Sequence, residues 1–175
     1  MYKKNLSLFL MLIFISSFFT MPSVAMPAIS LPEKENKNVI LMDDNVKFNN
    51  KKKKGNYLGH VYIKQGSSIL HANTAVTYSD TYNQLLKAIA NGKNNINAKF
   101  ETIPEGETKK LTGNAKKITY YPKKRIVQLD GNAILIHGKN TYRSEIIIYD
   151  IDHKKLISTK KPHKRTTIIF NEKIA

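Results

Sequence analysis

Apolar and polar residues alternate along short segments of this chain. In the clearest segment, residues 127–135, an apolar residue or Gly occupies every second position, which predicts a strand with one buried face. No stretch keeps the 3.6-residue period of an amphipathic helix, and the one helix-like window, residues 82–90, lacks a cap and a continuous apolar stripe. Because Gly, Asn and Lys clusters separate these segments, we expect an all-β antiparallel sandwich, barrel or roll. The other alternating segments are residues 39–41, 57–63, 118–120 and 147–149.

A sequence unit recurs after 72 residues. Gly59-His60-Val61-Tyr62-Ile63 aligns with Gly131-Asn132-Ala133-Ile134-Leu135, and Gly66 then aligns with Gly138. A third, partial copy is Leu111-Thr112-Gly113-Asn114-Ala115. Each unit predicts a strand that begins at Gly, a turn and a return strand, and the apolar face of one unit needs its neighbours as cover. The alternative is that Gly-Asn pairs are merely frequent in loops.

The first 25 residues have the features of a secretory signal peptide. Lys3 and Lys4 precede an apolar run over residues 6–19, and Ser23-Val24-Ala25 supplies the small residues that a signal peptidase reads. The run is shorter than the roughly 20 apolar residues that span a membrane. We expect cleavage after Ala25, with an uncleaved anchor as the alternative. The expected organisation is a signal peptide (1–25), a flexible lead-in (26–37) and a single domain (38–175), located in the periplasm.

The charge balance is strongly basic. The 175 residues include 29 Lys and Arg against 13 Asp and Glu, a formal charge of +16. Only Arg125, Arg143 and Arg165 are arginines, and Lys acts mainly as a solvated point charge, so the excess indicates a general attraction to anions. The absence of Cys excludes a disulfide scaffold and a thiolate metal site, and a hydrophobic content of 41% excludes a wholly disordered chain.

Two basic clusters and five His residues are candidates for anion or metal binding. Each cluster is either a set of solvated turn residues or a patch for lipid phosphates or a membrane surface. The His residues lack metal-ligand spacing, and there is no phosphate-binding loop, nucleophile elbow or triad order. We therefore expect no enzyme activity, no cofactor and no metal site. The clusters are Lys51, Lys52, Lys53 and Lys54, and Lys116, Lys117, Lys123, Lys124 and Arg125.

An ordered series of Gly-Asn units resembles the OstA-like family. The series begins at Asp44, fifteen residues before Gly59, and ends at Lys164-Arg165-Thr166-Thr167-x-x-Phe170. The resemblance covers residues 39–170, with three departures: His60 replaces Asn, Glu145 replaces Asp, and the Lys51–Lys54 turn replaces a more neutral one. The segments between are Gly59-His60-Val61-x-Ile63-x-Gln65-Gly66, Ala72-Asn73, Gly113-Asn114-Ala115-x-x-Ile118-x-Tyr120 and Val127-x-Leu129-x-Gly131-Asn132-Ala133-x-Leu135.

The resemblance implies a twisted antiparallel β-jellyroll, open at both ends, whose two sheets enclose an apolar groove. In that family the groove holds the acyl chains of lipopolysaccharide. Molecules stack head to tail and join an LptC-like inner-membrane protein to an LptD-like outer-membrane translocon. The implied function is non-enzymatic carriage of lipopolysaccharide between membranes.

The alternation assigns fourteen residues to the inner face. Each is a candidate for the lipid groove or for a closed core, because the same pattern serves both. A buried phenol needs a polar partner, which favours the groove over a closed core for Tyr120, Tyr142 and Tyr149. We also expect an open slot, since a sealed cavity would trap the cargo. The residues are Val39, Leu41, Tyr57, Val61, Ile63, Leu70, Ile118, Tyr120, Val127, Leu129, Leu135, Tyr142, Ile147 and Tyr149.

The first and last strands are candidates for contacts between molecules. Unpaired edges at opposite ends of an open roll pair with the next molecule or with a partner that has the same edge. The alternative for the last strand is an ordinary internal position. The edge residues are Val39, Ile40, Leu41, Thr166, Thr167, Ile168, Ile169 and Phe170.

Two other functions are compatible with a basic all-β chain. A nucleic-acid-binding barrel is disfavoured by the secretory signal and by tyrosines too scattered to form a stacking platform, so no nucleic-acid partner is expected. A membrane-anchored, LptC-like component of the same pathway would require that residues 1–25 be retained.

Overall fold

The computed structural model describes residues 39–159 and 165–170. The expected signal peptide and lead-in lie outside the described residues. The described chain forms twelve strands and a 3-10 turn, Pro122–Lys124, which confirms the all-β prediction, and within it no helix is long and apolar enough to cross a membrane. The strands are β1 (Val39–Met42), β2 (Asn45–Asn49), β3 (Lys54–Gln65), β4 (Ser68–Ser79), β5 (Leu85–Asn91), β6 (Ala98–Thr102), β7 (Leu111–Ala115), β8 (Lys117–Tyr121), β9 (Ile126–His137), β10 (Asn140–Asp150), β11 (Lys155–Thr159) and β12 (Thr167–Ile169).

Four long strands belong to two sheets. In β4, residues 69–71 pair with β6 and residues 74–79 pair with β5. In β9, residues 126–130 pair with β8 and residues 134–137 pair with β7. The strands β3 and β10 are divided in the same way. Sheet I therefore contains β2, β5, β8 and β11, sheet II contains β1, β6, β7 and β12, and each is completed by one half of every long strand.

A β-bulge bends each long hairpin where it passes from one sheet to the other. In the β3–β4 hairpin, residues 59–60 lie opposite Asn73 alone. In the β9–β10 hairpin, residues 131–132 lie opposite Glu145 alone. Every position in the second bulge is 72 residues after its counterpart in the first, so the 72-residue repeat is confirmed as two bent hairpins. The prediction that each strand begins at its Gly is wrong, because β3 and β9 pass through Gly59 and Gly131, and the partial third copy forms the short strand β7.

Backbone conformation requires Gly at both bulges. The φ angle is +126° at Gly59 and +82° at Gly131, a region that L side chains rarely adopt. A Cβ at Gly59 would also overlap the carboxylate of Asp44. Asp44 Oδ2 lies 2.9 Å from His60 Nδ1 and accepts a hydrogen bond from the His60 N–H at 3.2 Å. These contacts lower the pKa of Asp44 and fix the bulge, which explains the spacing between Asp44 and Gly59.

The central strands close into a ring in the order β4, β5, β8, β9, β7 and β6, with β6 paired back to β4. Side chains from both sheets fill the ring, and the rings of Phe100 and Tyr120 lie 4.9 Å apart. At Gly113, a Cβ would lie 2.9 Å from Leu129 Cδ2, so the missing side chain makes room for Leu129. The largest fully buried apolar residues are Phe100, Leu111, Ile118, Leu129, Leu135, Ile147, Ile151 and Val127.

The two candidate edge strands lie at opposite ends of the fold. Among the described residues, β1 pairs only with β3 and β12 pairs only with β10, so neither is an internal strand. The neighbouring edges are β2 beside β1 and β11 beside β12. Each end of the ring therefore presents one edge from each sheet.

The bulge geometry predicts a large effect of Gly59→Ala on stability. The substitution combines a strained backbone, on the order of 1–3 kcal/mol, with the overlap on Asp44. Gly106→Ala is the matched control, because Gly106 also has a positive φ but no atom lies within 4 Å of its Cβ position. Urea unfolding of both variants should give a clearly larger loss of unfolding free energy for Gly59→Ala. Equal losses would contradict this account of the bulge.

Candidate functional site

The structure brings the fourteen predicted inner-face residues onto one apolar surface. Eleven of them are at most 5% exposed, and Val39 and Tyr142 pack against this core from partly buried positions. Leu41 is 40% exposed, because it lies on the edge strand β1, although it shares a face with Ile63, its partner on β3. The eleven are Tyr57, Val61, Ile63, Leu70, Ile118, Tyr120, Val127, Leu129, Leu135, Ile147 and Tyr149.

Sequence analysis missed the contribution of β5, β6 and their flanks to this surface. Alanines carry much of the alternation there, as at Ala88, Ala90 and Ala98, and the window 82–90 resembled a helix more than a strand. The pattern Ala98-x-Phe100-x-Thr102 was a usable signal, because all three side chains are buried. The other inner residues outside the prediction are Ala75, Leu85, Leu111, Ala115, Ala133 and Ile151.

The expectation of an open slot through the interior is wrong for the central ring. A space lined by Ile63, Leu70, Phe100 and Tyr120 measures about 10 Å³, room for a single water molecule. The side chains of the two sheets meet here, and the largest of them are fully buried. An acyl chain enters this part of the molecule only if the sheets move apart.

Beyond the ring, the apolar inner face continues as exposed surface at both ends. On β2, Val46 and Phe48 are 52% and 51% exposed and share a face with buried residues of β3. On β12, Ile168 is 45% exposed and pairs with Tyr142, and the ring of Phe170 lies 6.3 Å from the Tyr142 ring. The inner face is thus a closed core in the middle and an uncovered apolar surface at each edge.

The two long sides of the fold differ in what joins the sheets. On one side, which we call the hinge side, the chain itself crosses at both bulges, and the backbone N–H groups of Gly92 and Lys116 bond to the carbonyls of Lys116 and Gly131 at 2.9 and 3.0 Å. The other side, which we call the mouth, is bordered by turns. Rim I consists of the sheet I turns at residues 50–53, 80–84, 122–125 and 151–154, and rim II of the sheet II turns at residues 66–67, 103–110 and 138–139.

Polar side chains join the sheets across the mouth. Lys154 Nζ of rim I lies 2.6 Å from Glu107 Oε1 of rim II, and the other Glu107 oxygen lies 2.6 Å from His137 Nε2. His137 Nδ1 in turn lies 3.3 Å from the hydroxyl of Tyr149 in sheet I. We call the chain of contacts from Lys154 through Glu107 and His137 to Tyr149 the mouth bridge. A separate hydroxyl pair, Ser68 with Tyr120 at 3.2 Å, also spans the sheets.

The electrostatics of the mouth bridge favour an ionised Glu107 and a protonated Tyr149. The hydrogen bond from Lys154, followed by that from His137, holds the pKa of Glu107 below its ordinary value. Burial raises the pKa of Tyr149 to about 12, with a smaller contribution from the charge of Glu107. Tyr149 therefore keeps its proton at neutral pH, and its hydroxyl shares a hydrogen bond with His137 Nδ1, while His137 Nε2 shares one with Glu107. The phenol partners expected from the sequence are present at Tyr120 and Tyr149.

The structure divides one predicted basic cluster and joins part of it to the other. Lys116 and Lys117 lie on the hinge side, where Lys117 is 3.7 Å from Asp130. Lys123, Lys124 and Arg125 instead lie on rim I, together with residues 51–53. The prediction of a single cluster over residues 116–125 is therefore wrong, because β8 carries its two halves to opposite sides of the sheet.

Carboxylates and imidazoles in the described chain take part in structural pairs. His153 Nδ1 lies 2.9 Å from Asp150, and Asp43 Oδ2 accepts a hydrogen bond from the Leu58 N–H at 2.7 Å. Within residues 39–159 and 165–170, no group of three or more His, Cys, Asp or Glu side chains is arranged to hold a metal ion.

Comparison with known proteins agrees with the fold. No curated protein matches the sequence. A solved structure with this fold is that of LptH from Pseudomonas aeruginosa, described as the LptA-homologous periplasmic component of the conserved lipopolysaccharide transport device. It aligns with a TM-score of 0.70 at 22% sequence identity, over 78% of this chain and 96% of LptH. The family model for the LptA/LptD N-terminal domain lipopolysaccharide transport proteins matches residues 42–155. The chain belongs to this family of lipopolysaccharide transport proteins, as the OstA-like resemblance implied.

Proposed function

We propose that the chain is a non-enzymatic periplasmic carrier that shelters the acyl chains of lipopolysaccharide between its two sheets. The observation that carries the proposal is the continuity of the apolar inner face, from the closed ring to the exposed residues at both ends. Each methylene removed from water contributes about 0.8 kcal/mol, so a dozen methylenes contribute on the order of 10 kcal/mol. That gain is large enough to offset the separation of packed side chains in the ring.

The sheets part at the mouth in this proposal. On the hinge side, separation would break backbone hydrogen bonds and distort the bulges at Gly59 and Gly131. At the mouth, it breaks the mouth bridge and the Ser68–Tyr120 pair, together with side-chain packing. Side-chain contacts of this kind contribute about 0.5–3 kcal/mol each, so the mouth is the side that opens at lower cost.

The free edges support assembly end to end. Strand β1, with Val39, Ile40 and Leu41, and the segment from Thr166 to Phe170 lie at opposite ends, and pairing of one with the other in a second copy gives an open filament. The exposed inner residues beside each edge then form one apolar track across the junction. The same edges would receive an LptC-like inner-membrane protein at one end and an LptD-like translocon at the other.

Photo-crosslinking tests the inner face as the lipid site. Phe48 and Tyr142 are aromatic and face inwards near opposite ends, so p-benzoylphenylalanine should replace either one with little disturbance. Lys47 and Arg143 are matched controls, since each is the exposed neighbour that points to the outer face. We expect lipopolysaccharide adducts from the two inner sites and few from the controls. Adducts of equal yield from inner and outer sites would exclude the proposed path.

Removal of the charge on Glu107 tests whether the mouth opens. Glu107→Gln weakens the mouth bridge, and we expect uptake of fluorescent lipopolysaccharide to be about five- to tenfold faster by stopped flow. Glu101→Gln is the control: Glu101 is equally buried and pairs with Lys99 and Lys110 at 2.6 and 2.8 Å, but all three lie in sheet II or its rim. Uptake that is equally fast in the two variants would show that the mouth bridge does not limit entry.

The lowered pKa of Glu107 also predicts a pH dependence. Its ionised form stabilises the folded chain above the ordinary value of 4.5, and this stabilisation is lost as the pH falls through the lowered pKa. Between about pH 6 and about pH 3, we expect the unfolding free energy of the unmodified chain to fall more than that of Glu107→Gln. Other carboxyls with lowered pKa values, such as Asp80 and Glu101, contribute equally to both proteins. Parallel denaturation curves across this range would contradict the assignment.

A further inference from the structure

We propose that rim I binds the anionic, phosphate-bearing head group of the lipid whose tails lie between the sheets. This inference rests on the proposed carrier function and assigns a second part of the same ligand. It follows from the convergence of basic turns at the mouth, from their uncompensated charge and from their position beside the apolar interior.

Contacts between the turns make rim I a continuous structure. Two hydrogen bonds join the first turn (50–53) to the second (80–84) and the strand before it. The Ser79 N–H donates to the Lys53 carbonyl at 2.9 Å, and Lys53 Nζ donates to Asn83 Oδ1 at 3.0 Å. Lys123 Nζ contacts Asp80 at 2.8 Å and joins the second turn to the third. In the last link, Arg125 Nε bonds to Asp152 at 3.0 Å. Four turns that are far apart in the sequence thus form one row.

The charge of this row is largely uncompensated. The four turns of rim I contain seven basic and two acidic residues, whereas the turns of rim II contain three basic and two acidic residues. Three of the rim I basic residues are already in ion pairs: Lys123 with Asp80, Arg125 with Asp152 and Lys154 with Glu107. Among the described residues, no ion pair involves the remaining rim I lysines, which are Lys51, Lys52, Lys53 and Lys124. One side of the mouth is therefore cationic and the other is nearly balanced.

The first turn of rim I is held in place by its own side chains. Lys53 adopts a φ of +48°, and its Nζ bonds to Asn50 Oδ1 at 2.8 Å as well as to Asn83. The Lys52 N–H bonds to Asn49 Oδ1 at 3.0 Å. The backbone of this turn is thereby held in place, while the exposed side chains of Lys51 and Lys52 have no ion-pair partner among residues 39–159 and 165–170 that competes with a ligand.

The position of rim I favours a lipid head group over a bilayer surface. Leu85, next to rim I, and Ile151, in its last turn, are buried in the apolar core, so a molecule whose tails enter the mouth places its polar end at the rim I lysines. A bilayer would meet the charged rim without reaching the apolar interior. Lys presents a solvated point charge and not a fixed bidentate fork, which suits a phosphate that must be released as the cargo moves on.

The test compares two double variants of the full chain that change the net charge equally. Lys52→Gln with Lys124→Gln removes two of the four rim I lysines without an ion pair among the described residues, and Lys47→Gln with Lys93→Gln removes two exposed lysines away from the mouth. The probes are lipid A that carries its phosphates and the same lipid after enzymatic dephosphorylation. We expect the rim I variant to bind the phosphorylated lipid roughly five- to thirty-fold more weakly, with a shallower salt dependence, and the control to change less than about twofold. Both variants should bind the dephosphorylated lipid as the unmodified chain does.

Other results would overturn the assignment in distinguishable ways. Equal losses in the two variants would reduce rim I to a general charge effect, and a loss that persists with the dephosphorylated lipid would exclude phosphate as the ligand. Binding of the unmodified chain to phosphatidylglycerol vesicles, lost in the rim I variant and without binding of either lipid A, would assign rim I to a membrane surface. Absence of any lipid A binding by the unmodified chain would refute the carrier function itself, together with the role of rim I.

Discussion

The passage of four long strands from one sheet to the other is the constraint on which the rest of the structure depends. Because β3, β4, β9 and β10 serve both sheets, the two inner faces are held opposite each other by the chain itself. The bulges make this possible, since each inserts one extra residue and bends the hairpin at a Gly with positive φ. Asp44 stabilises the first bulge through its contacts with the backbone N–H and the ring of His60.

The same constraint makes the two long sides unequal. The hinge side is joined by the covalent chain and backbone hydrogen bonds, whereas the contacts across the mouth among the described residues are made by side chains, with Glu107 between Lys154 and His137. A fold of this kind has one direction in which its sheets separate with little loss of backbone pairing. The packed ring is therefore compatible with the proposed lipid-carrying role, in which the apolar residues cover one another until an acyl chain replaces the opposite sheet as their neighbour.

Much of the fold could be predicted because its signals are local. Alternation at residues 127–135 reports a half-buried strand directly, and Gly59 and Gly131 mark the bends, since few other residues adopt their φ angles. The strand β5 was less predictable, because small alanines carry its inner face and a short apolar run serves a helix equally well. How completely side chains fill the ring could not be predicted from the alternation of apolar and polar residues. Alternation specifies which face is apolar, and the distance between two such faces depends on how their side chains interlock.

The mouth was the least predictable region, since its residues are brought together only by the return of each strand to the same side. Glu107, His137 and Lys154 have unremarkable sequence neighbours, and no spacing rule relates them. The lysine clusters illustrate the same point. The basic cluster of residues 116–125 is divided after Lys117 between the two long sides of the fold, whereas the turns that contain Lys53 and Asn83, 30 residues apart in the sequence, become adjacent. The fold places the Lys51–Lys54 turn beside the mouth. In the proposed function, charge at this position acts on a ligand that enters between the sheets, whereas the same lysines on the hinge side would face only solvent, so the chemical meaning of the cluster depends on the topology.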